Sequence, residues 1–162
     1  MSKPAPLPIT IWRDPFMWLA CGFGTGAARF APGTFGTLVA LPFYYFLQPL
    51  SAWLYLAVVA ALFVIGIGLC AHAANKLKVH DHPGIVWDEV VGYLVTMFMA
   101  PSGWEWMLAG FVLFRLFDIW KPWPIRLLDQ RVAGGFGIMV DDLLAGIYAA
   151  GLLQLGVYLY SL

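Results

Sequence analysis

From Ala52 to Asn75 the chain runs twenty-four residues without an acidic, lysine or arginine side chain. A bilayer core is crossed by about 20 consecutive apolar residues in a helix, so this stretch is long enough to span. The rest of the composition agrees with a membrane solvent: 62% of residues are hydrophobic and only 11% are charged, against about 25% charged in a soluble domain. Nine basic residues balance nine acidic ones, which gives a nucleic-acid partner no electrostatic support.

Further segments follow from the same reading. Residues 1–15, with four prolines, read as a surface tail. Residues 16–37 carry five glycines and read as a short apolar helix leading into a glycine-rich loop. Apolar segments are expected over about 36–48 (kinked at Pro42), 52–75, 85–100, 104–120 (stopped by Lys121-Pro122) and 137–160. The fold class expected is therefore all-α: a polytopic membrane helical bundle of about four to five membrane segments, forming one integral-membrane domain over residues 1–162. Cys21 and Cys70 match no metal or redox spacing and read as packing residues.

Charge placement orients the bundle. Lys3, Arg13 and Arg29 precede the first segment, Lys76 and Lys78 follow the second, and Lys121, Arg126 and Arg131 follow the fourth. The turns at 49–51 and 101–103 carry no charge. An up-and-down path starting inside puts every basic loop on one face, cytoplasmic by the positive-inside rule. The same path gathers Asp81, Asp88, Glu89, Asp118, Asp129, Asp141 and Asp142 at that face.

The acidic residues are patterned. Gly84-Ile85-Val86-Trp87-Asp88-Glu89 and Gly137-Ile138-Met139-Val140-Asp141-Asp142 both read Gly-Ile, two residues, then an acidic pair. Gly92 follows Asp88 by four residues and Gly146 follows Asp142 by four, so each glycine shares a helix face with its carboxylate and admits a close neighbour. Crowded carboxylates repel unless a cation neutralises them. Two such pairs on packed helices suit a hard cation, and Mg²⁺ takes one or two carboxylates together with substrate phosphate; the plainer alternative is that acidic residues favour helix N-termini. Arg115, Asp118 and Lys121 fall on one face of the fourth segment, where the cations suit phosphate oxygens, or else form an intrahelical ion pair and an interfacial anchor. The Ala31–Thr37 loop offers amides and the Thr34 and Thr37 hydroxyls to an anion, or is simply a turn. His80 and His82 flank Asp81 and are candidates for proton transfer, or are solvated loop residues. His72 reads as a hydrogen-bonded packing residue. No P-loop, cysteine-phosphatase loop or Asp-x-Asp-Gly pair is present.

Taken together, Pro32-Gly33-Thr34 with Gly36-Thr37, Asp81 with Ile85-Val86-Trp87-Asp88-Glu89 and Gly92, Phe114-Arg115 with Phe117-Asp118 and Lys121-Pro122-Trp123-Pro124, and Gly137-Ile138-Met139 with Asp141-Asp142 and Ala145-Gly146 resemble the phosphatidylglycerophosphatase A family. The linker Ala27-Ala28-Arg29-Phe30 departs mildly from the family's usual pattern. The resemblance implies a Mg²⁺-dependent enzyme of the bacterial inner membrane, multi-pass, with its active site on the cytoplasmic side. It would convert membrane-embedded phosphatidylglycerophosphate to phosphatidylglycerol and inorganic phosphate. On that reading Asp88, Glu89, Asp118, Asp141 and Asp142 hold metal, and Thr34, Thr37, Arg115 and Lys121 hold substrate phosphate. Asp81, His80, His82 and Asp129 are then the candidates for catalytic proton transfer. A divalent-cation carrier using the same carboxylates, or a phosphatase for another lipid phosphate such as phosphatidic acid, is the alternative.

Overall fold

A computed structural model describes residue 7, residues 13–79 and residues 81–162. All regular structure among these residues is helical: α1 (Pro15–Ala20), a 3-10 stretch (Gly22–Ala27), α2 (Pro32–Leu47), α3 (Ala52–Leu77), α4 (Trp87–Thr96), α5 (Trp104–Trp120), α6 (Ile125–Arg131) and α7 (Gly134–Tyr160). Most of the tail expected at residues 1–15 falls outside the described residues.

Local chemistry explains the starts and stops. Asp14 Oδ1 accepts from the amides of Phe16 (3.0 Å) and Met17 (3.2 Å), which caps α1, and Pro15 supplies a preset φ at the first helical position. The chain then reverses through Phe23 (φ 57°) and Gly24 (φ 92°), both left-handed. Pro32 opens α2, so most of the glycine-rich stretch expected as a loop is instead the first two turns of a helix. Its glycines serve close approach: a Cβ on Gly36 would strike Val86, and one on Gly33 would strike Glu89 and Arg115. Pro42 lies inside α2, and α5 stops at Lys121 (φ 45°) ahead of Pro122.

Two helices, α3 with 26 residues and α7 with 27, are long and apolar enough to cross a membrane. The segment expected over 85–100 is shorter than anticipated. Its helix, α4, has ten residues, or roughly 15 Å at 1.5 Å per residue. Every residue from Trp87 to Leu94 is buried, because α2, α3, α5 and α7 surround it. A helix apolar on all sides is a core helix when neighbours cover all sides. Those neighbours also satisfy several polar groups of α4 and of the turn that follows it. Tyr55 donates its hydroxyl to the Leu94 carbonyl (2.6 Å), Trp87 donates its indole N–H to the Leu62 carbonyl (3.2 Å), and Gln154 donates to the Phe98 carbonyl (3.0 Å). The outer helices meanwhile leave large apolar side chains such as Phe46, Trp53, Val64, Ile119 and Leu155 exposed around the bundle.

Both cysteines are free and buried, as their apolar setting suggested. His72 is hydrogen-bonded but half-exposed on α3, where Nε2 lies 2.9 Å from Asp14 Oδ2. It ties α1 to α3 instead of packing in the core.

A candidate metal centre

Asp88 and Glu89 occupy the first turn of α4, and Asp142 projects from the third turn of α7. Each offers a ligand-type oxygen, and the three lie within 4.8 Å of one another. The residues are only 8%, 9% and 3% exposed. Asp88 Oδ1, Glu89 Oε2, Asp142 Oδ2 and the neighbouring Asp141 Oδ1 are buried without a hydrogen-bond partner. Buried polar atoms are nearly always paired, and packed carboxylates repel. A hard cation with oxygen ligands resolves both problems, so the donor set fits Mg²⁺ or a similar ion. Helix N-terminal preference accounts for Asp88 and Glu89 on α4, but not for Asp142, which lies well inside α7.

Two cations rim the carboxylates. Arg115 Nη1 lies 2.5 Å from Asp118 Oδ2 and 3.7 Å from Glu89 Oε1. These are ion-pair contacts, and Nη1 and Nε are buried without a hydrogen-bond acceptor. Lys121 Nζ donates to Asp141 Oδ2 (2.5 Å) and to Asp129 Oδ1 (2.9 Å). Asp118 and Asp141 therefore each stand beside a cation, at the edge of the triad.

The remaining candidates are more scattered. Thr34 is half-buried in the first turn of α2, with its amide donating to the Ala31 carbonyl (3.0 Å). Thr37 is fully buried and donates its hydroxyl to the Gly33 carbonyl at 2.9 Å, so it is not presented to a ligand here. Asp81 is exposed on the loop before α4, close enough for its charge to act on Asp88 and Asp141. His82 is buried, and its Nδ1 accepts from the Gly84 amide (3.0 Å), which fixes the ring against the loop backbone. Asp129, on α6, holds Lys121. His80 lies outside the described residues.

One residue here escaped the sequence reading as a participant. Gly33 is placed so close to the Glu89 carboxylate and the Arg115 guanidinium that any side chain there would displace them. Its Pro-Gly-Thr context was visible, but its partners are 56 and 82 positions away, and no local pattern reports that.

Among the described residues the chain is all-helical and gathers buried carboxylates beside an arginine and a lysine, a set that could hold a cation next to an anion. Residues 18–157 match the family described as phosphatidylglycerophosphatase A. The chain is 48% identical to Phosphatidylglycerophosphatase A of Escherichia coli over 141 residues, covering 86% of this chain and 82% of that one. It is 44% identical to Phosphatidylglycerophosphatase A of Haemophilus influenzae, covering 92% and 93%. A protein of Bacteroides thetaiotaomicron named as a Putative phosphatidylinositol-3-phosphatase is 39% identical, covering 92% of each chain. The chain belongs to the phosphatidylglycerophosphatase A family, a family of phosphatase enzymes. No solved structure matches it.

Proposed function

We propose that the protein hydrolyses the terminal phosphate monoester of phosphatidylglycerophosphate, giving phosphatidylglycerol and inorganic phosphate, with Mg²⁺ as cofactor. The observation that carries this is the triad Asp88, Glu89 and Asp142: buried, mutually within 4.8 Å, and with unpartnered oxygens. These three hold the ion, with Asp118 and Asp141 completing the ring. A bound divalent cation supplies charge neutralisation for the phosphoryl group and makes water more acidic.

The chain's own residues do the rest. Arg115 donates from its unused Nε and Nη1 to the phosphate oxygens, where charge-assisted bonds strengthen as negative charge builds. Lys121 neutralises Asp141 and Asp129 and orients them toward the site. Thr34 lines the phosphate side beside Gly33. Asp81, exposed at the mouth, takes the proton given up by the attacking water and passes it to the departing glycerol oxygen as the P–O bond breaks, while His82 shapes the loop that carries it. Cys70, the cysteine nearest these carboxylates among the described residues, is fully buried with its thiol donating to Met139 Sδ (3.6 Å), and direct attack by water is the reading preferred.

The same proposal places the protein as a single integral-membrane domain of the bacterial inner membrane. In it α3 and α7 cross the bilayer, α2 and α5 pack alongside, and the carboxylates face the cytoplasm. The belt of exposed Phe46, Trp53, Val64 and Ile119 supports lipid contact, and the basic residues Lys76, Lys78, Arg126 and Arg131 support the orientation. A single cysteine placed by Lys78→Cys or Arg131→Cys in an otherwise cysteine-free protein reacts with a membrane-impermeant reagent only from inside. Labelling from outside reverses the topology.

The activity test is Mg²⁺-dependent phosphate release from phosphatidylglycerophosphate by purified protein, run beside phosphatidic acid and a phosphoinositide monophosphate. Full activity in Asp88→Asn would sink the metal-site proposal. Absence of phosphate release, together with divalent-cation uptake into liposomes, would favour a carrier. The gathering of carboxylates within the first turn of α4 and the third turn of α7, toward one end of the bundle, speaks against a carrier path through the bilayer.

A further inference from the structure

The corner between α5 and α6 carries a pocket of about 540 Å³ lined by Trp120, Lys121, Trp123, Arg126 and Gln130 among others. Two features tie it to an anionic lipid. Arg126 is exposed and has no ion-pair partner among the described residues, unlike Arg115 and Lys121. Trp120 and Trp123 are 68% and 80% exposed, the placement indole rings take at a bilayer's headgroup level. A third feature ties it to the carboxylate centre. Lys121 forms part of the pocket wall and also ion-pairs with Asp141, so one side chain separates the two sites.

The proposed substrate has two phosphates of different character. Its terminal monoester is the group hydrolysed; a phosphodiester lies one glycerol away, nearer the acyl chains. With the monoester at the carboxylates and Arg115, the diester needs a cation one short linker further along. We infer that Arg126 is that cation: the α5–α6 pocket binds the phosphodiester of the lipid and selects substrates that carry one. A guanidinium fork matches the two non-bridging oxygens of a diester, and the flanking indoles keep the site at the interface. Arg126 is thus a specificity residue that touches substrate away from the reacting atoms. The inference rests on the phosphatase reading above.

The experiment compares phosphatidylglycerophosphate with phosphatidic acid, a monoester lacking the diester, in mixed micelles with Mg²⁺. Arg126→Ala is expected to raise KM for phosphatidylglycerophosphate about tenfold with kcat little changed, the loss of one exposed charge-assisted contact. Its kcat/KM for phosphatidic acid stays the same. Where phosphatidic acid is not turned over, its inhibition constant against phosphatidylglycerophosphate stays the same instead. Arg126→Lys recovers part of the loss, and Arg131→Ala, five residues on along α6, changes neither lipid. An equal loss on both lipids overturns the assignment, because it makes Arg126 a general anchor for anionic bilayer lipid. An unchanged KM for phosphatidylglycerophosphate overturns it too. If the unaltered protein hydrolyses neither lipid, the phosphatase reading fails first and this inference with it.

Discussion

Gly92 of α4 and Gly146 of α7 stand face to face with no room for a side chain between them. A Cβ on Gly146 would meet the Gly92 carbonyl oxygen, and one on Gly92 would meet the Phe114 ring and the Asp142 carbonyl. Thr96 Oγ1 lies 3.0 Å from the Gly92 carbonyl and 3.4 Å from that of Gly146, joining the same crossing. Asp88 precedes Gly92 by four residues and Asp142 precedes Gly146 by four, so each carboxylate sits one turn from the contact. The glycine crossing therefore sets the spacing of the triad.

That dependence makes Gly146→Ala a double lesion. The added methyl must push α4 and α7 apart, which costs about 1–3 kcal/mol as overpacking and spreads the carboxylates. Thermal unfolding in detergent should show a lowered Tm, and Mg²⁺-dependent phosphate release should fall further than the stability loss explains. Gly151→Ala on the same helix meets nothing within 4 Å. It is expected to leave activity intact and Tm equal or slightly higher, since alanine favours the helix.

Asp142→Asn tests the centre from the opposite direction. It removes one charge from a group of buried, unpartnered carboxylates, so the metal-free protein should unfold at the same or a higher temperature. Mg²⁺ should raise the Tm of the unaltered protein by linkage to the folded state, and that increment should disappear in the variant. Phosphate release should drop at least about 100-fold, the loss of several kcal/mol of transition-state stabilisation. A retained Mg²⁺-dependent rise in Tm would show that the ion binds elsewhere.

Much of this was legible in the sequence, and the gaps have physical causes. The uncharged run from Ala52 and the apolar run through Gly146 declared α3 and α7, because length and hydropathy are local properties. The repeated Gly-Ile-x-x-acidic-acidic pattern declared that two carboxylate pairs belong on packed helices. Hydropathy misjudged α4, because a helix surrounded by protein and one surrounded by lipid have the same composition. Pro32 through Thr37 looked like a loop because two glycines depress helix propensity; tertiary contact with Val86, Glu89 and Arg115 overrides it. Residues 14 and 15 read as part of a surface tail, yet Asp14 and Pro15 start α1, and the pairing of Asp14 with His72 and Lys76 was not readable because they lie 58 and 62 positions on.

Lys121 is held in place by opposing effects. Burial works against its charge, but Asp141 and then Asp129 outweigh that and keep its ammonium above the usual lysine range. A raised pKa contributes stability that is complete below the unfolded value, about 10.4, and is lost only as pH rises through the higher folded value. Lys121 itself should therefore add no pH dependence to stability between about pH 6 and 9. Lys121→Met leaves Asp129 and Asp141 without their shared counter-charge, and should cost about 1–2 kcal/mol after allowance for partial exposure. Lys121→Met combined with Asp129→Asn should recover part of that in denaturant unfolding. Full additivity of the two substitutions would show that the pair does not interact.

Asp14 is tied through α1 to the backbone just ahead of Asp88. Its Oδ1 caps α1, while Oδ2 accepts from Lys76 and from His72 on α3. At the other end of α1 the Ala20 carbonyl accepts the Val86 amide at 2.9 Å, two residues before Asp88. Lys76 first, and then His72, hold the Asp14 carboxyl well below the usual carboxylate range. A depressed pKa contributes stability present above the unfolded value, about 3.9, and lost as pH falls through the folded one. Hydrogen-exchange protection in residues 15–20 should accordingly fall as pH drops below about 4. Asp14→Asn keeps an oxygen for the cap but loses the charge, so it should reduce protection of α1 and weaken the apparent Mg²⁺ affinity without abolishing activity. Asp14→Ala loses cap and ion pair together and should do both more strongly. Unchanged protection in Asp14→Asn would mean that packing against α3 alone holds α1 in place.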